Sequence, residues 1–294
     1  MVRRFLSILA ILSIGCKQTS STSTSEASTL DRKSGRRLVE IRELPSSEEV
    51  PAVAVGKRHR YVNPYHYGEL SKYYDPKQVD FSSEYYKIQN SLFTDLETDV
   101  FDSVASYDFS GIWKRGYSQE GVIGVNYRRI EISISDVVKD KANPMKYFVY
   151  GVSEVADNRC DFSGELELLN GYSLRESDVE NVMQGVVFGR YTFREDSAQN
   201  HPGLFSGIVE SGFLIDHQDG KVKLDTLSID ADGYANNNFV GTWTGYDAGK
   251  AKKCIWGEYR LPFTFDFDIG DGEMIVNKKY RKYGWGYYDE VYSE

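Results

Sequence analysis

The chain has 294 residues, with 44 Asp and Glu against 35 Lys and Arg, for a net charge of −9. So acidic a molecule has no broad attraction for nucleic acid or anionic headgroups, which sets nucleic-acid binding aside. The 26 Gly, 22 Tyr and 15 Phe against only 7 Pro point to antiparallel β structure.

In chain order, the first segment places Arg3 and Arg4 ahead of an apolar run from Phe5 to Ile14, then Gly15 and Cys16. That run falls well short of the roughly 20 residues that span a bilayer. It fits the apolar core of a secretory signal over residues 1–15. The ending Leu12-Ser13-Ile14-Gly15-Cys16 resembles the lipobox of bacterial lipoproteins, with Ser13 where that family usually has Leu. The resemblance implies that Cys16 opens the mature chain and carries acyl chains such as palmitate. The membrane would then be a partner through a lipid anchor. Lys17 is not the Asp that, by family analogy, marks inner-membrane retention. The implied address is therefore the bacterial cell envelope, at the outer membrane rather than the inner.

From Thr19 to Thr29, nine of eleven residues are Ser or Thr. Nothing there can pack well enough to offset the entropy of ordering, so residues 16–56 read as a lipidated, disordered tether. As flexible coil, residues 17–50 would span about 30 Å r.m.s.. Loss of the signal would take Arg3 and Arg4 away and move the net charge to −11.

Residues 57–79 are aromatic and basic, broken by Pro64 and Pro76, and read as a strap lying on the domain. Over 82–106, Ile88, Leu92, Leu96, Val100 and Val104 recur every four residues. That period predicts one amphipathic helix with Ser82 or Ser83 as N-cap.

From 107 to 294 the period becomes two. The predicted strands are 109–115, 123–138, 146–156, 160–169, 184–195, 203–215, 221–230, 238–246, 252–260 and 263–269, with a last near 283–292. The cleanest alternation is Phe263, Phe265, Phe267 and Ile269 against Thr264, Asp266 and Asp268. In 221–230 the parity slips at Thr226, which suggests a bulge. Turn chemistry stands at Asn143-Pro144, Asn170-Gly171, Asp219-Gly220, Asp232-Gly233 and Asp271-Gly272. The fold class is mainly β: an antiparallel up-and-down barrel or strongly curved meander behind one helix.

A local unit of aromatic, glycine and third apolar residue recurs at Phe109-Gly111-Trp113, Phe162-Gly164-Leu166, Phe205-Gly207-Val209 and Phe239-Gly241-Trp243. A glycine on such a face leaves room for a bulky cross-strand neighbour or a barrel bend. Gly111-x-Trp113, opening the meander, resembles the first-strand motif of lipocalins, eight-stranded barrels that bind small apolar ligands. That resemblance implies a late Arg over the Trp, with Arg260 and Arg281 as candidates. The final stretch is also similar to uncharacterised bacterial β proteins, which carry no function with them.

With Cys16 assigned to the lipid, Cys160 and Cys254 remain, and in an oxidising envelope they are expected to pair. No familiar catalytic spelling is present. His59, His66, His201 and His217 have no ligand spacing, so no metal and no cofactor is expected. Asp230-x-Asp232-Gly233 and Asp268-x-x-Asp271-x-Glu273 hint at Ca²⁺ but complete no loop, and hairpin turns explain them better. Asp266 and Asp268 on one strand face would stand about 7 Å apart, compatible with a glycosidase pair that Glu258 could join. The solvated face of a sheet explains them as well. Trp113, Trp243, Trp256 and Trp285 are the candidate ligand-binding rings.

The expectation is thus an anchored envelope lipoprotein with a non-catalytic binding role toward a small apolar ligand, a glycan or an envelope partner. A hydrolase of envelope polysaccharide and a structural interaction protein without a pocket are the competing classes. An apolar cavity by Trp113 and Trp243 would favour the first, and facing carboxylates in a cleft the second.

Overall fold

A computed structural model of the chain describes residues 73–287, apart from 97, 176, 178, 228, 231–233, 248 and 271–273. The signal, Cys16, the tether and the strap up to residue 72 lie outside the described residues. So do Asp232-Gly233, Asp271 to Glu273, and the last predicted strand beyond 287.

Helix α1 (Ser82–Leu96) forms on the predicted period, but it stops ten residues early. The Asp80 carboxylate, not Ser82 or Ser83, receives the first free amide, that of Ser82, at 2.9 Å. Beyond it come a two-residue strand, β1 (Thr98–Asp99), and a single helical turn, α2 (Phe101–Val104). The Asp99 carboxylate accepts from Phe101 N at 2.9 Å, starting that turn, so a side chain restarts the helix where the sequence period runs on unbroken. A second turn, α3 (Ser110–Trp113), follows.

The sheet comprises β2 (Gln119–Ile123), β3 (Arg128–Lys139), β4 (Lys146–Val155), β5 (Asn158–Ser173), β6 (Val182–Glu195), β7 (Gly203–Asp216), β8 (Val222–Leu224), β9 (Ala235–Gly245) and β10 (Ala251–Tyr259). Each main strand pairs antiparallel with its chain neighbours, and β10 returns to pair with β2. The result is a closed eight-stranded up-and-down barrel; β8 only extends one wall beside β7. Closure leaves no free edge among these eight strands.

The interior is filled by rings. Trp256 stacks on Phe239 at 4.7 Å between centroids, and Tyr191 stands edge-on to both. Phe162 and Phe193 stack at 5.3 Å. The recurrent glycines make that filling possible. A Cβ on Gly241 would lie 2.0 Å from the Ser206 carbonyl oxygen, and one on Gly207 would lie 2.8 Å from the Tyr191 hydroxyl. Gly207 and Gly241 face each other across β7 and β9.

The outer wall of β2, β9 and β10 is buried as well. Val122, Val240 and Ile255 lie beneath Phe81, Tyr85, Phe263, Phe267 and Trp285. These strands are covered on both faces, which explains their nearly continuous apolar runs.

Several expectations are corrected. Residues 110–113, predicted as strand, form α3, and 123–138 divides into the β2–β3 hairpin at Gly124. The predicted 221–230 strand shortens to β8, and Asn170-Gly171 lies inside β5, next to a register shift, instead of in a turn. The alternating 263–269 run is not a strand. Phe263 and Phe265 adopt positive φ (52° and 49°), and a 3₁₀ turn, Phe265–Phe267, lays their rings on Phe81 over the outer wall. Residues 278–283, leading into the last predicted strand, form another 3₁₀ turn. Cys160 and Cys254 are free buried thiols. They stand on β5 and β10, four strands apart in the eight-strand ring, so no shared ladder brings their backbones side by side.

Candidate functional site

The two ends of the barrel differ. At one end α3 forms a plug: the Trp113 indole donates to Ser211 Oγ at 2.9 Å and meets Tyr147 edge-on at 5.0 Å. Asn237 Nδ2 donates to the Ile112 carbonyl at 2.7 Å, tying the plug to β9. Rings and hydrogen bonds thus pack α3 into this end.

The other end is open. Its rim consists of the β2–β3, β4–β5, β6–β7 and β9–β10 connections, and a cavity of about 420 Å³ lies between them. That is within the size range of small-molecule sites. Ile123, Ile130, Phe205 and Trp243 supply apolar wall, and Pro76 to Val79 border one side.

One carboxylate lines this cavity. Glu195, the last residue of β6, is 6 % exposed. It accepts from Ser153 Oγ on β4, from Gly203 N at 2.7 Å, and from Trp243 Nε1 at 2.9 Å. Burial pushes its pKa up, and these three donors pull the other way. Both oxygens are occupied, so Glu195 pins β4, β7 and β9 to its own β6 at the mouth and presents no free base.

Cations gather along the β10 and β3 part of the rim. Lys252 of β10 stands over the Trp243 ring at 4.6 Å, and Arg128 of β3 and Lys77 line the same opening. Lys253, turned outward, is 5 % exposed. Its ammonium lies over Phe81, Tyr127 and Phe265, within hydrogen-bonding reach of the Pro76 carbonyl at 3.1 Å. Burial lowers its pKa to about 8.

Of the four candidate tryptophans, Trp243 alone lines this cavity. Trp113 is in the plug, Trp256 is in the ring-filled interior, and Trp285 packs on the outer wall, donating to the Tyr127 carbonyl at 2.8 Å. The candidate carboxylates hold separate partners. Glu258 accepts from Tyr117 and Gln119 beside Arg115, and burial raises its pKa. Asp268 is buried, receives the Gly270 and Ile275 amides, and lies 3.5 Å from Arg260. Asp266 is exposed and pairs with Lys279 and Tyr280. Arg260 donates to the Gly270 carbonyl and Arg281 to the Val276 carbonyl; the rings described beside Trp113 are Phe109 and Tyr147.

Glu195 was not legible as a site residue. An acid beside Asp196 at a strand end reads as a solvated turn; only its inward parity with Tyr191 and Phe193 marks it.

Fold and opening together define an eight-stranded antiparallel β-barrel with an end-on cavity. Comparison with protein-family models, curated proteins and solved structures returned no match.

Proposed function

We propose that the barrel mouth binds a small, largely apolar ligand without chemically altering it. One observation carries this reading: an apolar-walled cavity opens at one end of a barrel whose other end and interior are packed. The occupied oxygens of Glu195 and the separate partners of Glu258, Asp266 and Asp268 favour binding over hydrolysis. The lipobox resemblance at Cys16 supports the further proposal that the barrel is tethered by lipid to the bacterial envelope, at the outer membrane. A glycan or a protein partner at the same opening is the lesser reading, because aromatic platforms at the mouth are few.

The test is titration of the full chain with the neutral dye N-phenyl-1-naphthylamine. Saturable binding of one dye per chain is expected, weakened at least tenfold by Val155→Trp at the half-buried rim. A folded chain with no saturable binding refutes the proposal.

A further inference from the structure

The charges around the mouth are one-sided. Lys77, Arg128 and Lys252 line it on the β2–β3–β10 side. Among the described residues none of the three is in an ion pair, although Asp75 lies close enough to act on Lys253. Asp157 and Asp196, on the neighbouring hairpins, do not line the opening. The one lining acid, Glu195, is bonded to the Trp243 indole that Lys252 overlies, and both its oxygens are already occupied. A local cationic rim on a chain of net charge −9 is a departure from the molecule's average. A low-dielectric opening lined by one sign of charge concentrates ligands of the other.

From this arrangement we infer that the ligand is an anionic single-chain amphiphile, its tail in the cavity and its carboxylate or phosphate head at Lys252 and Arg128. The inference rests on the binding reading above. Orientation follows from the charges. An anionic head is attracted by the rim cations, where charge-assisted hydrogen bonds to ammonium and guanidinium form in contact with water, and the tail is left to the apolar wall. The tail meets Ile123, Ile130 and Phe205, where burial of its methylenes removes apolar surface from water. Lys252 already sits over Trp243, so its ammonium is placed at the boundary between apolar wall and solvent.

The experiment is displacement of N-phenyl-1-naphthylamine from the full chain by four ligands of equal chain length: dodecanoate, dodecyl phosphate, dodecanol and dodecyltrimethylammonium. Dodecanoate or dodecyl phosphate should bind at least tenfold tighter than dodecanol, with dodecyltrimethylammonium weakest. The preference should shrink as salt rises from 50 to 500 mM, and it should reverse in the double variant Lys252→Glu with Arg128→Glu. The better of the two anions tells whether a carboxylate or a phosphate is the native head. Equal affinity for dodecanoate, dodecyl phosphate and dodecanol overturns this inference and leaves apolar binding standing. Preference for the cation overturns it in favour of Glu195. If the dye itself does not bind, the underlying reading fails first. The head-group series uses unaltered protein, so misfolding of the double variant does not blunt it.

Discussion

The Trp243 indole donates to the Glu195 carboxylate at 2.9 Å, joining β9 to β6 at the open end of the barrel. Ser153 and the Gly203 amide complete the arrangement, so one buried acid holds four strands in register around the cavity. Glu195→Ala would leave these donors without their acceptor. Leaving a buried donor unsatisfied costs about 1–3 kcal/mol. The expected loss in urea denaturation is about 3 kcal/mol for Glu195→Ala and about 1 kcal/mol for Glu195→Gln, which keeps an acceptor. Equal stability of all three proteins would refute the pinning role.

Glu210, on the outward side of β7, lies beneath α1 with Tyr85 beside it and Phe188 and Asn238 on the flanking strands. Burial raises its pKa from 4.5 to about 7. The folded state therefore binds a proton that the unfolded state releases between those values. Stability from this group is full below about pH 4.5 and lost as pH rises toward 7. The wild type minus Glu210→Gln difference in unfolding free energy should fall across that window by on the order of 3 kcal/mol. A difference independent of pH would contradict this.

For Lys253 the window lies higher and the slope has the opposite sign. Its pKa falls from 10.5 to about 8, so the unfolded chain binds the extra proton between those values and stability rises with pH. Lys253→Met removes that rise. Because a buried charge is replaced by apolar volume, the variant should be neutral or more stable at pH 7. Denaturation of both proteins at pH 7 and pH 10 measures it. A variant destabilised equally at both values would show that the ring contacts, not the charge, matter.

The glycines offer a paired comparison. Gly241→Ala places a Cβ 2.0 Å from the Ser206 carbonyl oxygen, whereas Gly111→Ala meets nothing closer than 3.8 Å. Overpacking against backbone should cost Gly241→Ala about 3 kcal/mol, while Gly111→Ala, on a helical turn, should be within about 0.5 kcal/mol of wild type. Similar Tm values for the two variants would refute the close approach of β7 and β9.

Much of this barrel was legible because its strands obey a local rule. Phe205, Gly207 and Val209 share a face by alternation alone, and the glycines announce crowding across the sheet. Phe263 to Phe267 obey the same rule and break it in space, since two left-handed residues turn the run onto the outer wall. Alternation cannot reveal a backbone reversal driven by burial against Phe81. The expected pairing of Cys160 with Cys254 failed for a related reason: counting thiols says nothing of where two strands stand in a ring. Trp243, which lines the cavity, was a candidate by its chemistry, but its three fellow tryptophans share that chemistry and differ only in placement. Glu195 was hidden by looking like half of a turn.

The most direct measurement of the central claim is a heteronuclear NMR titration of the folded chain with dodecanol, following the four indole N–H signals. Trp243 borders the cavity, Trp256 lies in the packed interior, Trp113 is in the plug, and Trp285 is on the outer wall. Binding at the mouth predicts a saturable shift of the Trp243 signal, with Trp113 and Trp285 unmoved. A shift at Trp285 or Trp113 with Trp243 still, or no saturable shift at any indole, would contradict it.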